Sequence, residues 1–189
     1  MNTLYHQLIL VATRPADPLT RAFAGAMEAS RGILPAERPM GLDPSTFMAL
    51  LQRYFPSLCV WPERDAAQKA AAQPSQRSDE YEDLARLLLD HRSDDRDETA
   101  WLASAMAAAC LGNNHLWQDL GLANRQELSD LLQNHFASLY AKNTGNMKWK
   151  KFFYKQLCER AEVNACRAPS CRVCTDYAKC FGPEDGAAH

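Results

Sequence analysis

The sequence lacks any apolar run that approaches the ~20 residues needed for a helix to cross a bilayer. Its first apolar patch, residues 8–12, follows no lysine or arginine and is too short for a secretory signal. We therefore expect a cytoplasmic protein that makes no membrane contact. The chain also lacks a nucleophile–base pair, a phosphate-binding glycine loop and a cofactor-binding fingerprint. These absences argue against an ordinary enzyme.

The sequence also has no run of alternating apolar and polar residues, which is the pattern of a half-buried strand. Apolar residues recur instead at helical spacing, as Phe47, Leu50 and Tyr54 do. That stretch follows Asp43 and Pro44, an N-cap residue and a proline suited to the first helical turn. The pattern predicts an all-α fold, an irregular helical bundle of about seven helices with a C-terminal irregular Cys-rich metal-binding loop.

The domain organisation follows from the 189-residue length, which suits one domain or a domain with an appendage. We predict a helical domain over residues 1–157, with a looser part at 1–78 and a better defined part at 79–157. A Cys-rich cluster-binding segment follows over residues 158–183. Residues 184–189 are predicted to be a disordered tail.

Cysteine is concentrated near the C-terminal end, where five of the seven cysteines lie between residues 158 and 180. The pattern C-x4-C-x2-C-x5-C is formed by Cys166, Cys171, Cys174 and Cys180. In a reducing compartment, clustered cysteines more often bind metal than form disulfides. Structural zinc usually takes two ligand pairs separated by a longer loop, whereas continuous spacing of this kind suits an iron–sulfur cluster. The pattern favours such a cluster, with zinc and free or disulfide-bonded thiols as alternatives.

Charge is distributed unevenly along the chain, although the formal net charge is only −2. Residues 141–180 contain nine lysines and arginines against three acids, whereas residues 1–140 contain 12 against 18. Four thiolates around a sulfide-bridged cluster carry net negative charge, which nearby cations offset. The same cations can attract an oxyanion or an acidic partner. A solvated basic helix face is the alternative interpretation.

The basic segment contains further candidate site residues. Lys148, Lys151 and Lys155 recur at helical spacing on the last long predicted helix and form a basic face for an anion or a partner. Cys158 ends that helix and is a possible additional ligand, or a core residue. His115 lies in a turn, where it can bind metal or cap a helix.

Other residues that can bind metal have simpler explanations. Cys59 and Cys110 are interpreted as small buried apolar residues. The acidic cluster at residues 94–98 is interpreted as a helix start, which the helix dipole favours. His135 lies on the apolar face of a predicted helix, so we expect a core histidine with one hydrogen bond.

The C-terminal motifs together resemble one known family. The run MKWKKFFYKQLC at residues 147–158, the four spaced cysteines and the sequence FGP at 181–183 are similar to the NifQ family of nitrogen-fixation accessory proteins. The segment NHLWQDLGL at residues 114–122 resembles the family as well. The resemblance covers residues 97–183 well and the N-terminal half only loosely.

The resemblance implies a protein that carries molybdenum together with an iron–sulfur cluster of the 4Fe-4S or MoFe3S4 type. It implies donation of molybdenum for biosynthesis of the nitrogenase iron–molybdenum cofactor. The molybdenum would come from molybdate or an upstream source and pass to the NifEN and NifH assembly proteins. The family's four-cysteine motif maps onto Cys166, Cys171, Cys174 and Cys180.

Two rival functions remain open at this point. One is an iron–sulfur redox or electron-transfer protein without molybdenum. The other is a zinc-stabilised nucleic-acid-binding module, in which aromatic residues among the lysines would stack on bases. Because the periodicity places most of those aromatics in the core, we expect no nucleic-acid partner.

Overall fold

The computed structural model describes residues 3–58, 76–161, 177–182 and 184. Ten α-helices and no strands lie in these ranges, so the predicted all-α class is confirmed. The helices are α1 (Leu4–Leu10), α2 (Pro18–Ala29), α3 (Pro44–Tyr54), α4 (Gln76–Asp90), α5 (Asp97–Cys110), α6 (Leu116–Asp119), α7 (Arg125–His135), α8 (Ala137–Tyr140), α9 (Trp149–Arg160) and α10 (Tyr177–Phe181). A 3-10 turn, Pro39–Gly41, precedes α3. No helix in the described ranges is both long enough and apolar enough to span a bilayer.

Helix α5 lies at the centre of the bundle. It is apolar on all sides, and every residue from Trp101 to Cys110 is buried, as expected for a helix surrounded by others. It packs against α2 and α4. Both α2 and α5 are rich in alanine, so their backbones can approach closely. One continuous core results, and it extends from Leu4 in α1 to Phe153 in α9.

The N-terminal helices join this core through aromatic side chains. Tyr54 at the end of α3 meets Phe23 of α2 edge-on, with ring centroids 4.8 Å apart, and Trp101 of α5 at 6.4 Å. Asp43 caps α3 as predicted, because its Oδ1 accepts hydrogen bonds from the amides of Ser45 and Thr46. The predicted apolar face of α3 is buried.

The capping box that begins at Asn124 and the apolar spacing that follows predict one helix to about residue 140, but the structure divides this segment at Phe136. Phe136 has φ −138° and ψ 49°, outside the helical region, and its side chain is fully buried. Ser93 supplies the missing hydrogen bonds, since its amide donates to the His135 carbonyl at 2.8 Å and its Oγ accepts from the Ala137 amide at 2.9 Å. The α4–α5 loop therefore creates two helices, α7 and α8, where periodicity predicts one.

The predicted domain boundaries stay a prediction. Residues from the looser and the better defined parts share the same core, as Leu8 and Leu102 do. Residue 184, the first of the predicted tail, is a buried glutamate, and residues 185–189 lie outside the described residues.

Candidate functional site

Helix α9 forms the base of the candidate site. Helical spacing predicts that its inner side is formed by Trp149, Phe152, Phe153 and Leu157. The three aromatic residues are buried, and Leu157 is half-buried. The Trp149 ring stacks on Tyr140, with centroids 5.8 Å apart, and its Nε1 donates to Ser129 at 3.3 Å. These contacts hold the start of α9 against the α7–α8 region. Lys151, between the buried aromatics, is exposed, whereas Lys150 is half-buried.

Helix α10, which carries Cys180, packs at the start of α9. The Lys148 amide donates a hydrogen bond to the Cys180 carbonyl at 2.8 Å. The Phe181 ring lies against Gly145, where an added Cβ would be 3.3 Å from Cε1. The Cys180 thiol is half-buried, so it can still reach a ligand at the surface. The end of the cysteine segment is therefore joined to the basic helix by backbone and side-chain contacts.

A cavity of about 190 Å³ lies where the loop before α6, the start of α9 and α10 meet. We call it the basic cavity. Its apolar wall includes Leu116, Leu128 and the Trp149 ring. Its other lining residues, which present mainly apolar atoms to the cavity, are Asn114, His115, Lys148, Lys150, Lys151, Lys179 and Glu184. Four lysines and one carboxylate line this small space, and a cavity with apolar walls intensifies the field of the charges around it.

A buried ion pair holds one side of the basic cavity in place. Lys150 Nζ donates to Asp119 Oδ2 at 2.6 Å and to the Gly112 carbonyl at 2.9 Å. Asp119 is almost fully buried and also accepts hydrogen bonds from the Asn114 amide and its Nδ2. The loop between α5 and α6, which carries His115, is thus connected to α9. Gly112 is required there, because an added Cβ would lie 2.5 Å from Asp119 Oδ2.

Glu184, which lines the basic cavity, and Asp119, which lies beside it, each have a cationic partner of their own. Asp119 pairs with Lys150, and Glu184 lies 3.8 Å from Arg125. Among the described residues, neither Lys148 nor Lys151 forms an ion pair. Their positive charges are therefore not neutralised by a carboxylate in the part of the chain that the structure describes.

The predicted basic face is divided by the structure. Lys148 and Lys151 line the basic cavity, but Lys155 pairs with Glu159 one turn along the same helix. Lys155 lines a separate, more open hollow between α9 and the α8–α9 loop, together with Lys142. The three lysines thus do not act on one common space.

The predicted metal ligands are only partly within the described residues. Cys166, Cys171 and Cys174 lie outside them, whereas Cys180 is half-buried on α10 and Cys158 is half-buried on α9. The described residues contain no group of three or more histidines, cysteines or acids placed to hold a metal ion. Of the two further candidates, His115 lines the basic cavity, and its amide donates to Gln118 Oε1 at 3.1 Å at the start of α6.

Cys110, the acidic cluster and His135 have the structural roles, without metal, that the sequence predicts. Cys110 is buried in the core, and burial raises the pKa of its thiol to about 12, so it stays protonated. Asp94 accepts hydrogen bonds from the Arg96 guanidinium and the Thr99 hydroxyl at the start of α5, which hold its pKa well below the usual range. His135 is buried and hydrogen-bonds Thr99 Oγ1 at 2.8 Å. Cys59 lies outside the described residues.

Sequence reasoning did not find Asp119, Lys150 or Glu184. Asp119 lies in the stretch that carries the family resemblance, but its partner is 31 residues away, and periodicity carries no information about such pairs. Lys150 is adjacent to buried Trp149 and differs from the other lysines of α9 only through its tertiary contacts.

Comparisons with known proteins agree with one another. A family model described as NifQ matches residues 19–182, which extends the similarity well into the N-terminal half. The chain is 43% identical over 159 residues to Protein NifQ of Azotobacter vinelandii, covering 77% of this chain and 78% of the relative. It is 36% identical over 171 residues to Protein NifQ of Rhodobacter capsulatus, covering 90% and 91%. No solved structure matches the chain.

Proposed function

The chain belongs to the NifQ family, which takes part in nitrogen fixation, and on this basis we propose that it is a cytoplasmic molybdenum carrier rather than an enzyme. It donates molybdenum for biosynthesis of the nitrogenase iron–molybdenum cofactor, and its receivers are the NifEN and NifH assembly proteins. The observation that carries the proposal is the family match itself, which spans residues 19–182 and so includes all four spaced cysteines.

Cys166, Cys171, Cys174 and Cys180 would hold the iron–sulfur cluster, since thiolates are the usual ligands of iron in such clusters. Cys180, which the structure describes, fits this role because its thiol is half-buried and next in sequence to a lysine of the basic cavity. The cluster supplies the sulfide-rich environment in which molybdenum is carried. The protein's own part is to gather four deprotonated thiols, which couples cluster binding to local folding.

The neighbouring cations support a negatively charged cargo. Lys148 and Lys179 line the basic cavity on either side of the hydrogen bond that joins α9 to α10. Positive charge close to the cysteines offsets the charge of a sulfide-bridged cluster. This assists a carrier, which must take up an anionic cargo and later release it.

The nucleic-acid rival has little support in the described residues. Trp149, Phe152 and Phe153 are buried, so their rings are not available to stack on bases. The redox rival uses the same cysteines and differs from the carrier only in its metal content.

Metal and sulfide analysis of protein purified without oxygen from cells supplied with molybdate tests the proposal. We expect iron, sulfide and molybdenum together, with a coloured visible spectrum, and loss of all three in a Cys171→Ala/Cys174→Ala variant. Cys110→Ala is the matched control, since its thiol is buried and protonated, and it should retain all three. Iron and sulfide without molybdenum would favour the redox rival, and zinc alone in a colourless protein would refute both cluster functions.

A Cys158→Ala variant addresses the possible fifth thiolate. If Cys158 binds the heterometal, the variant should keep iron and lose molybdenum. Full iron and molybdenum content would instead remove the support for Cys158 as a ligand.

A further inference from the structure

We infer that Arg125 and Glu184 are positioning residues for the Cys180 thiol, and that they fix it at the start of α9 without help from a metal. Residues 180–182 and 184, which we call the docking segment, carry the contacts. The inference rests on the proposed function, because it gives a role to the surroundings of a proposed cluster ligand. It also gives a role to Phe181 and Gly182, two residues of the family-like FGP sequence that cluster binding alone does not explain.

The turn between α8 and α9 receives the docking segment, and Arg125 holds this turn in shape. Arg125 Nη2 donates to the carbonyl oxygen and the Oδ1 of Asn146, both at 3.0 Å, and to the Met147 carbonyl oxygen at 2.9 Å. Asn146 lies in the left-handed region, with φ +53°, which asparagine tolerates better than most residues. Asn143 bonds the amide and the carbonyl of Met147 at 2.8 and 2.9 Å. These contacts fix the turn without any cysteine.

The docking segment contacts the turn through its backbone and through an aromatic ring. The amide of Lys148, directly before α9, donates to the Cys180 carbonyl at 2.8 Å. The Phe181 ring lies against Gly145 within the turn and packs on the hydrophobic core. The thiol-bearing residue and the residue after it are therefore both held.

An ion pair holds the far end of the docking segment. Glu184 Oε1 lies 3.8 Å from Arg125 Nη1, the terminal nitrogen that does not bond the turn. The Glu184 side chain is only 5% exposed, and a carboxylate so buried requires a cation nearby. A planar guanidinium can serve the turn with one nitrogen and the carboxylate with the other, which the single ammonium of lysine cannot do. One arginine therefore joins the turn to the docking segment.

A sharp bend after α10 allows the chain to make both contacts. The Gly182 amide donates to the Ala178 carbonyl at 2.8 Å, and an added Cβ at Gly182 would lie 2.4 Å from that oxygen. Cys180 is thus held directly by the backbone hydrogen bond and indirectly by the ion pair of Glu184. Because these contacts need no metal, one cluster ligand is in place before binding, which reduces the ordering cost of gathering the thiols.

Alkylation of the Cys180 thiol tests the docking without reference to a cluster. The Cys171→Ala/Cys174→Ala variant of the full chain, treated with EDTA, is the background, because it keeps every docking contact and lacks two cluster ligands. It is labelled with iodoacetamide for timed intervals, then unfolded and labelled with isotopically heavy iodoacetamide. Trypsin places Cys180 and Cys158 on separate peptides that contain no other cysteine, so the rate of each thiol is measured singly.

Adding Glu184→Gln should raise the labelling rate of Cys180 on the order of fivefold, since loss of the ion pair favours local opening of α10. Cys158, also half-buried, should keep its rate, because its helix does not depend on the pair. Asp90→Asn is the matched control, since it removes a carboxylate from Arg160 at the opposite end of α9 and should leave the Cys180 rate unchanged. An unchanged Cys180 rate in Glu184→Gln, or a parallel rise at Cys158, would overturn the inference.

Arg125→Gln separates docking from local electrostatics. Removal of a nearby carboxylate makes a thiol more reactive through charge alone, whereas removal of a guanidinium makes it less reactive. Because the docking needs both partners, Glu184→Gln and Arg125→Gln should both raise the Cys180 rate. A lower rate in Arg125→Gln would mean that charge governs the thiol, and it would also overturn the inference. Thermal unfolding of each variant confirms that the fold is intact.

Cluster stability connects the docking to the carrier function. In the otherwise native chain, purified without oxygen, Glu184→Gln should lose its visible absorbance to an iron chelator about fivefold faster than the native chain, and Asp90→Asn should not. A cluster that is equally stable in both would overturn the positioning role. Absence of iron and sulfide from the native chain would instead refute the carrier function, and the labelling rates would still decide whether Cys180 is docked.

Discussion

Substituting Lys150 with methionine tests the buried ion pair that holds the basic cavity together. Methionine keeps the length and apolar stem of lysine but removes the charge. The Lys150→Met variant would leave the Asp119 carboxylate buried without its cation. Asp119 and Lys150 side chains are only 5% and 17% exposed, so solvent can replace little of the lost interaction.

The expected cost follows from what remains around Asp119. Breaking a buried pair by removing one partner costs about 3–5 kcal/mol. Two hydrogen bonds from Asn114 to the carboxylate survive, at 3.2 and 2.9 Å, and they partly satisfy it. We therefore expect a loss of about 3 kcal/mol, the lower end of that range. The free energy of unfolding is measured by urea titration, followed by far-ultraviolet circular dichroism.

A double-mutant cycle separates the pair from other contacts of Lys150. With Asp119→Asn in the same chain, Lys150→Met should cost much less, because no buried charge is left unpaired. The coupling energy should be about 2 kcal/mol. Lys155→Met is the matched control on the same helix, and breaking its exposed pair with Glu159 should cost about 0.5 kcal/mol or less. Additive effects in the cycle, or equal costs for the two lysine variants, would refute the reasoning.

Two further predictions concern the fold around the site. Gly25→Ala places a Cβ 2.2 Å from the Leu120 backbone carbon, so α2 and the end of α6 must separate, and we expect a loss of about 3 kcal/mol in urea titration. Burial lowers the pKa of His135 below 6.5, so the unfolded chain binds a proton more readily than the folded chain. The contribution of neutral His135 to the free energy of unfolding is fully present above pH ~6.5. It is lost as the pH falls toward the folded pKa, with a slope of at most about 1.4 kcal/mol per pH unit. His135→Gln should flatten this slope.

These two predictions have distinct contrary outcomes. A Gly25→Ala protein with unchanged stability would mean that α2 and α6 can separate without cost. Equal pH slopes below 6.5 in the native chain and in His135→Gln would show that His135 does not lose its stabilising role on protonation.

Local sequence patterns determined much of this fold. Helix α3 begins at an aspartate–proline pair and buries its predicted face, because capping and periodicity depend only on neighbouring residues. The apolar residues on all sides of α5 predict a helix surrounded by others, which the structure confirms, because no face of it is suited to water. The cysteine spacing, together with the family resemblance, is what indicates cluster binding.

Only the tertiary structure decided which charges act together. Lys148, Lys151 and Lys155 are equivalent by helical spacing, but Glu159 neutralises Lys155, while the other two face the basic cavity. The Asp119–Lys150 pair and the division of α7 from α8 by Ser93 both join residues far apart in the chain. Periodicity describes a single helix, whereas charge compensation and hydrogen bonding between helices depend on how the helices pack, so no local pattern could predict them.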